Sequence, residues 1–153
     1  MAEPNYAGNI IVNLASLPDF LRRPILKKRM TEFFLLSEHE RKEIISNALE
    51  AGPTIPFPNF SKLFGTWLEI LVVLSDEQRE GLFRAYINES IQYPQKLISF
   101  NLDGILGIFL ALDEEKRNVI SHTIRKVIGQ LAEEKKRTIL MIMPDIAKKH
   151  LGV

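Results

Sequence analysis

The 153-residue chain balances 20 Lys and Arg against 19 Asp and Glu, and a formal net charge of +1 gives it no global attraction for nucleic acid, membranes or acidic substrates. Apolar content of 46% with 25% charged residues is that of a folded globular chain and excludes pervasive disorder. With no cysteine, disulfides, thiolate catalysis and Cys-built zinc or iron–sulfur sites are excluded as well.

The opening stretch, MAEPNYAGNIIVNLASLPDF, lacks the basic region and unbroken apolar run of a secretion signal. The longest apolar runs, LEILVVL and ILGIFLAL, are far shorter than the roughly 18 residues of a membrane span. The expectation is a soluble, cytoplasmic protein folded as one domain over residues 1–153.

A gapless shift of 38 residues superposes Pro18, Pro56 and Pro94, then Leu36, Leu74 and Leu112, then Arg41, Arg79 and Arg117. Apolar columns run between these identities: Met30, Leu68 and Leu106; Phe33, Leu71 and Phe109; Ile44, Leu82 and Ile120. Self-similarity at such a period is the mark of stacked supersecondary units. It predicts an all-α fold of three stacked two-helix repeats, residues 17–54, 55–92 and 93–130, with a C-terminal capping helix over 131–153. A compact helical bundle of equally long helices is the alternative. The stack is expected to hold about six to eight helices.

Within each unit the first helix starts near its proline, which is tolerated in a first turn because the missing amide has no partner there. Ser16 and Thr54 are the expected N-caps, with Gln92 a weaker counterpart. Pro24 and the SFNLDG segment at 99–104 predict a kink or a separate short turn early in their helices. The middle unit's first helix is apolar nearly all round toward its end, as a helix buried between neighbours must be.

The second helices start at LSEHER, LSDEQR and LDEEKR. Ser37 with Glu40, and Ser75 with Gln78, form the capping-box pattern, while Asp113 keeps the cap and Lys116 abandons the box. Glu38, Asp76 and Glu114 oppose the positive end of the helix dipole. Beyond the third unit the periodicity predicts a helix near 132–142, ended by Pro144, then a short terminal helix with Gly152 after it.

Paired helices of this length, with a proline opening the first and an arginine recurring in the second, resemble an α-solenoid of the HEAT or armadillo type. The Leu36, Leu74 and Leu112 starts are also similar to those in helical superhelix domains of magnesium transporters and flagellar switch proteins. The resemblance covers about residues 17 to 142 and is generic. HEAT-type units often carry an aspartate before the arginine in the intervening turn, whereas Ser37, Ser75 and Asp113 stand in that turn here. The resemblance implies scaffolding or macromolecular binding and transfers no site residue.

The arginine column reads in two ways. Arg41, Arg79 and Arg117 form a ladder gripping an acidic partner segment, or each pairs with an acid such as Glu38, Asp76 or Glu114. In a stack, Arg41, Ile45, Arg79, Phe83, Arg84 and Arg117 are the groove candidates for a protein partner, a second copy included. Arg22, Arg23, Lys27, Lys28 and Arg29 make a basic patch for nucleic acid or an anionic surface, echoed by Lys135, Lys136 and Arg137. The Phe-rich stretch 57–64 admits an apolar small ligand instead. No cofactor is implied. His39, His122 and His150 have no helical metal-site spacing. Glu69, His122 and Arg117 are the only starting points for catalysis, and Glu69 reads more simply as an ion-pair partner. The leading expectation is a non-catalytic interaction or scaffolding module.

Overall fold

The computed structural model describes the backbone of residues 6–153 and the side chains from residue 9 onward. Among the described residues there are ten α-helices and no strand: α1 (Tyr6–Ser16), α2 (Asp19–Glu32), α3 (Glu38–Ala51), α4 (Phe57–Val73), α5 (Asp76–Gln92), α6 (Pro94–Ile98), α7 (Leu102–Leu110), α8 (Glu114–Gly129), α9 (Glu133–Ile142) and α10 (Asp145–Leu151). The fold is all-α. It has more helices than the periodicity predicts, because α1 precedes residue 17 and the helix expected to start near Pro94 is two, α6 and α7.

Local chemistry sets the starts. Ser37 Oγ accepts from the Glu40 amide while Glu40 returns a carboxylate oxygen to the Ser37 amide, and Ser75 and Gln78 repeat the exchange. Asp113 Oδ1 accepts from the Lys116 amide at 3.0 Å without a return bond. Thus α3, α5 and α8 begin at Glu38, Asp76 and Glu114, at the predicted spacing.

The expected caps of the first helices are corrected. Ser16 ends α1, donating to the Asn13 carbonyl at 2.8 Å, and Thr54 donates to the Ala51 carbonyl at 2.6 Å. Both hydroxyls are spent on the preceding helix, so Pro18 and Pro56 themselves occupy the cap positions of α2 and α4. Gln92 likewise closes α5, and Pro94 opens α6. Helix α2 passes through Pro24 as one element. The break at 99–101 is real: Asn101 Oδ1 accepts from the Gly104 amide at 3.0 Å and starts α7 anew.

Helix α4 packs on α2 and on α7, while α5 packs on α3 and on α8. Helix α1 lies against α3 and α4, and α8 also reaches α4, so α4 is covered by four neighbours. This is why its apolar residues recur on every side. Leu63, Leu68, Ile70 and Leu71 are all buried. The apolar columns are core: Met30, Leu68 and Leu106 are buried, as are Phe33, Leu71 and Phe109. An aromatic ladder climbs α4 through Phe57, Phe60, Phe64 and Trp67 and continues edge-on to Phe83 and Tyr86 of α5. Helices α9 and α10 close the far end against α5 and α8, and Gly152 takes the left-handed conformation (φ 76°) that ends α10. No described helix is long and apolar enough to cross a membrane.

Candidate functional site

The arginine column has an internal duty. Arg41 donates to the carbonyls of Phe33 (3.1 Å) and Phe34 (2.6 Å). Arg79 donates to those of Leu71, Val72 and Leu74, at 2.8, 3.1 and 2.7 Å. Arg117 donates to those of Leu110 and Leu112, at 3.1 and 2.5 Å. Helices α3, α5 and α8 each thereby supply a fixed cation to carbonyls where the preceding segment ends, those of Phe33 and Leu71 also accepting the amides of Leu36 and Leu74. Of the acids considered for them, only Asp76 meets its arginine in a described ion pair, at 2.8 Å. Ile45 and Phe83 are buried. Arg84 alone among the six groove candidates is exposed, and it donates to Gln130 Oε1 at 2.9 Å.

The basic patch on α2 divides. Arg22 is buried and spends its guanidinium on Thr66 Oγ1, the Leu17 carbonyl and Asp19. Arg23 bridges to Glu69 of α4 at 2.6 Å, and that hydrogen bond raises its pKa above the ordinary guanidinium value. Glu69 has Lys116 as a second partner at 3.9 Å, so it is an inter-helix ion-pair residue. Lys27, Lys28 and Arg29 remain at the surface, the last two beside Glu32 at 4.0 and 3.5 Å.

What the sequence reading missed is the apolar half of this same face. Phe20 is 74% exposed, Leu21 42% and Ile25 39%, with Pro24 exposed between them. The i, i+4 spacing lines up Phe20, Pro24 and Lys28 in one row and Leu21, Ile25 and Arg29 in the next. The outer face of α2 is therefore greasy over its first two turns and cationic over the following one. The signal was present as a second apolar stripe beside the buried one of Leu26, Met30 and Phe33. A helix covered on one side only has no use for two such stripes in its own core.

Comparison with family models, with curated proteins and with solved structures gave no match.

Two concave features lie elsewhere among the described residues. At the junction of α3, α5 and α6, Glu89 is 3% exposed and meets Lys96 Nζ at 3.2 Å. Lys96 also donates to Ser46 Oγ at 2.5 Å, lies 3.6 Å from Glu50 and sits over the Tyr93 ring. The break at Tyr93–Pro94 turns Lys96 back onto α5, which sequence spacing does not reveal. The Lys96 ammonium thus gives the buried Glu89 carboxylate its counter-charge. His39 stands at the rim of this recess. His122 is exposed on α8. The second feature is an apolar hollow of about 230 Å³ walled by residues of α4 to α10, among them Phe83 and Tyr86.

Proposed function

We propose that this chain is a non-catalytic interaction module, built by repetition of a helix pair, that docks a protein partner on the outer face of α2. The observation that carries the reading is the contiguous exposure of Phe20, Leu21 and Ile25 on a helix whose other side is already packed. Isolated apolar residues on a surface need no explanation, but a row of them backed by cations is a recognition pattern. The partner it fits is a segment presenting apolar side chains to Phe20, Pro24 and Ile25, and carboxylates to Lys27, Lys28 and Arg29. Covering a phenylalanine and two aliphatic side chains supplies roughly 2 kcal/mol each before the costs of association.

A phosphate backbone is a poorer fit. Of the five cations counted from sequence, Arg22 is buried and Arg23 is bonded to Glu69, while Glu32 shares Lys28 and Arg29. Asp19 and Glu32 also flank the apolar row and would repel an anionic surface. The equal spacing of the α3, α5 and α8 starts supports the repeat reading, as does the packing of α4 between α2 and α7.

The test compares the wild-type chain with a Phe20→Glu, Ile25→Glu variant as baits in native extract, with cross-linking and mass spectrometry to locate the contact. Both charges sit on exposed positions, so circular dichroism is expected to be unchanged. A partner cross-linked to α2 and lost in the variant supports the reading. The same partner retained by both baits overturns it. So does retention on heparin, or flotation with anionic vesicles, as the only activity lost in the variant.

A further inference from the structure

The hollow beside Tyr86 is lined almost wholly by carbon. Of its wall residues only Tyr86 and Ser90 carry hydroxyls, and none carries a charge. Ser90 spends its hydroxyl on the Tyr86 carbonyl at 2.8 Å. Among the described residues the Tyr86 hydroxyl makes no hydrogen bond, so it is not sealed off, since every fully buried side-chain oxygen there has a partner. Water is a poor tenant there, because an ordered water needs two to four polar partners and the wall offers one. A charged ligand is worse, since nothing in the wall would meet its charge. For scale, an engineered closed apolar cavity of about 150 Å³ takes a benzene ring, and this hollow, which opens partly to solvent, is about 230 Å³.

We propose that this hollow is a binding site for a small uncharged molecule of roughly ten heavy atoms, aromatic or alicyclic, with one carbonyl or hydroxyl held by Tyr86. Helices α9 and α10 form its far wall through Ile139 and Ala147, so the C-terminal pair serves as more than a cap. The site is separate from the outer face of α2, and either proposal stands without the other.

Trp67 is the only tryptophan in the chain, and its ring lies 5.4 Å from Tyr86 and 5.9 Å from Phe83, both wall residues. Its emission reports occupancy. The probes are tetralin, a hydrocarbon of suitable size, and α-tetralone, which adds one carbonyl. Both are expected to shift Trp67 emission saturably and to raise the unfolding temperature. Tetralone should bind about five-fold tighter, the worth of one hydrogen bond, and Tyr86→Phe should erase that preference. Ala147→Leu, filling the hollow, should abolish both responses while the helical signal persists. Ile139→Phe serves if that variant does not fold. No saturable response to either probe overturns the site, as does binding undiminished in the filled variants. Equal tetralone preference in Tyr86→Phe overturns the role of the hydroxyl. Burial of the hollow by a second copy, seen as probe-insensitive dimers lost in Ala147→Leu, also overturns the proposal.

Discussion

Arg79 donates from Nε to the backbone carbonyl of Leu71 at 2.8 Å, so the first turn of α5 holds the end of α4. With bonds to Val72 and Leu74 as well, one guanidinium serves three carbonyls at the end of α4, of which only that of Leu71 also accepts a backbone amide, from Leu74 at 3.2 Å. Arg79→Ala strands those groups in a site only 5% exposed, and the expected loss is about 3 kcal/mol in urea unfolding. Arg79→Lys should recover little, because an ammonium cannot reproduce the fork. Arg41→Ala and Arg117→Ala, at half-buried positions with two carbonyl acceptors each, should cost less. Asp76→Ala should cost least of all, since its carboxylate is 89% exposed.

The helix starts can be tested by removing one oxygen. Ser37→Ala and Ser75→Ala should each destabilise by about 1 kcal/mol. Ser37 also holds the Glu40 carboxyl below its ordinary value, first through its side chain and then through its backbone amide. That contribution is present above about pH 4.5 and is lost as pH falls through the lowered value. In Ser37→Ala the Glu40 midpoint, followed by NMR, should move up toward the usual carboxylate range.

Two glycines of α7 should answer oppositely to alanine. A Cβ at Gly104 would stand 2.4 Å from the Phe57 ring and 2.6 Å from Asn101 Nδ2, the side chain that caps the helix. Gly104→Ala should therefore lose about 1–3 kcal/mol despite the better helix propensity. Gly107 has nothing within 4 Å of the same position. Gly107→Ala should gain up to about 1 kcal/mol. Chemical unfolding of the two variants side by side checks both signs.

Burial pushes the Tyr86 phenol from 10.0 up to about 12. The folded chain thus resists ionisation that the unfolded chain undergoes. Stability that Tyr86 contributes is whole below pH 10 and drains away as the pH climbs toward about 12. Tyr86→Phe should flatten the alkaline fall in stability, and it should remove a component near pH 12 from the phenolate absorbance titration.

Much of the architecture was legible without coordinates because its causes are local. A serine and a glutamate or glutamine three residues on satisfy each other's amides wherever the chain goes, so the starts of α3 and α5 follow from Ser37 with Glu40 and Ser75 with Gln78. The buried columns at Met30, Leu68 and Leu106 were equally readable, since apolar residues at helical spacing must be covered by something. So was the tail, where Pro144 and Gly152 bound a short helix.

Which cover each face receives is a different matter, settled by neighbours tens of residues away. The apolar residues of α2 are indistinguishable in sequence, yet Leu26 is packed inward while Phe20 faces solvent, because α4 and α1 cover only one side. The arginine column repeats visibly, but only folding of the turns turns it onto carbonyls and away from a partner. Lys96 with Glu89, and the hollow beside Tyr86, exist only once α5 to α10 are assembled. Hydrogen bonds and periodicity act within a few residues and are written into the chain; enclosure is a collective property of many helices and is not.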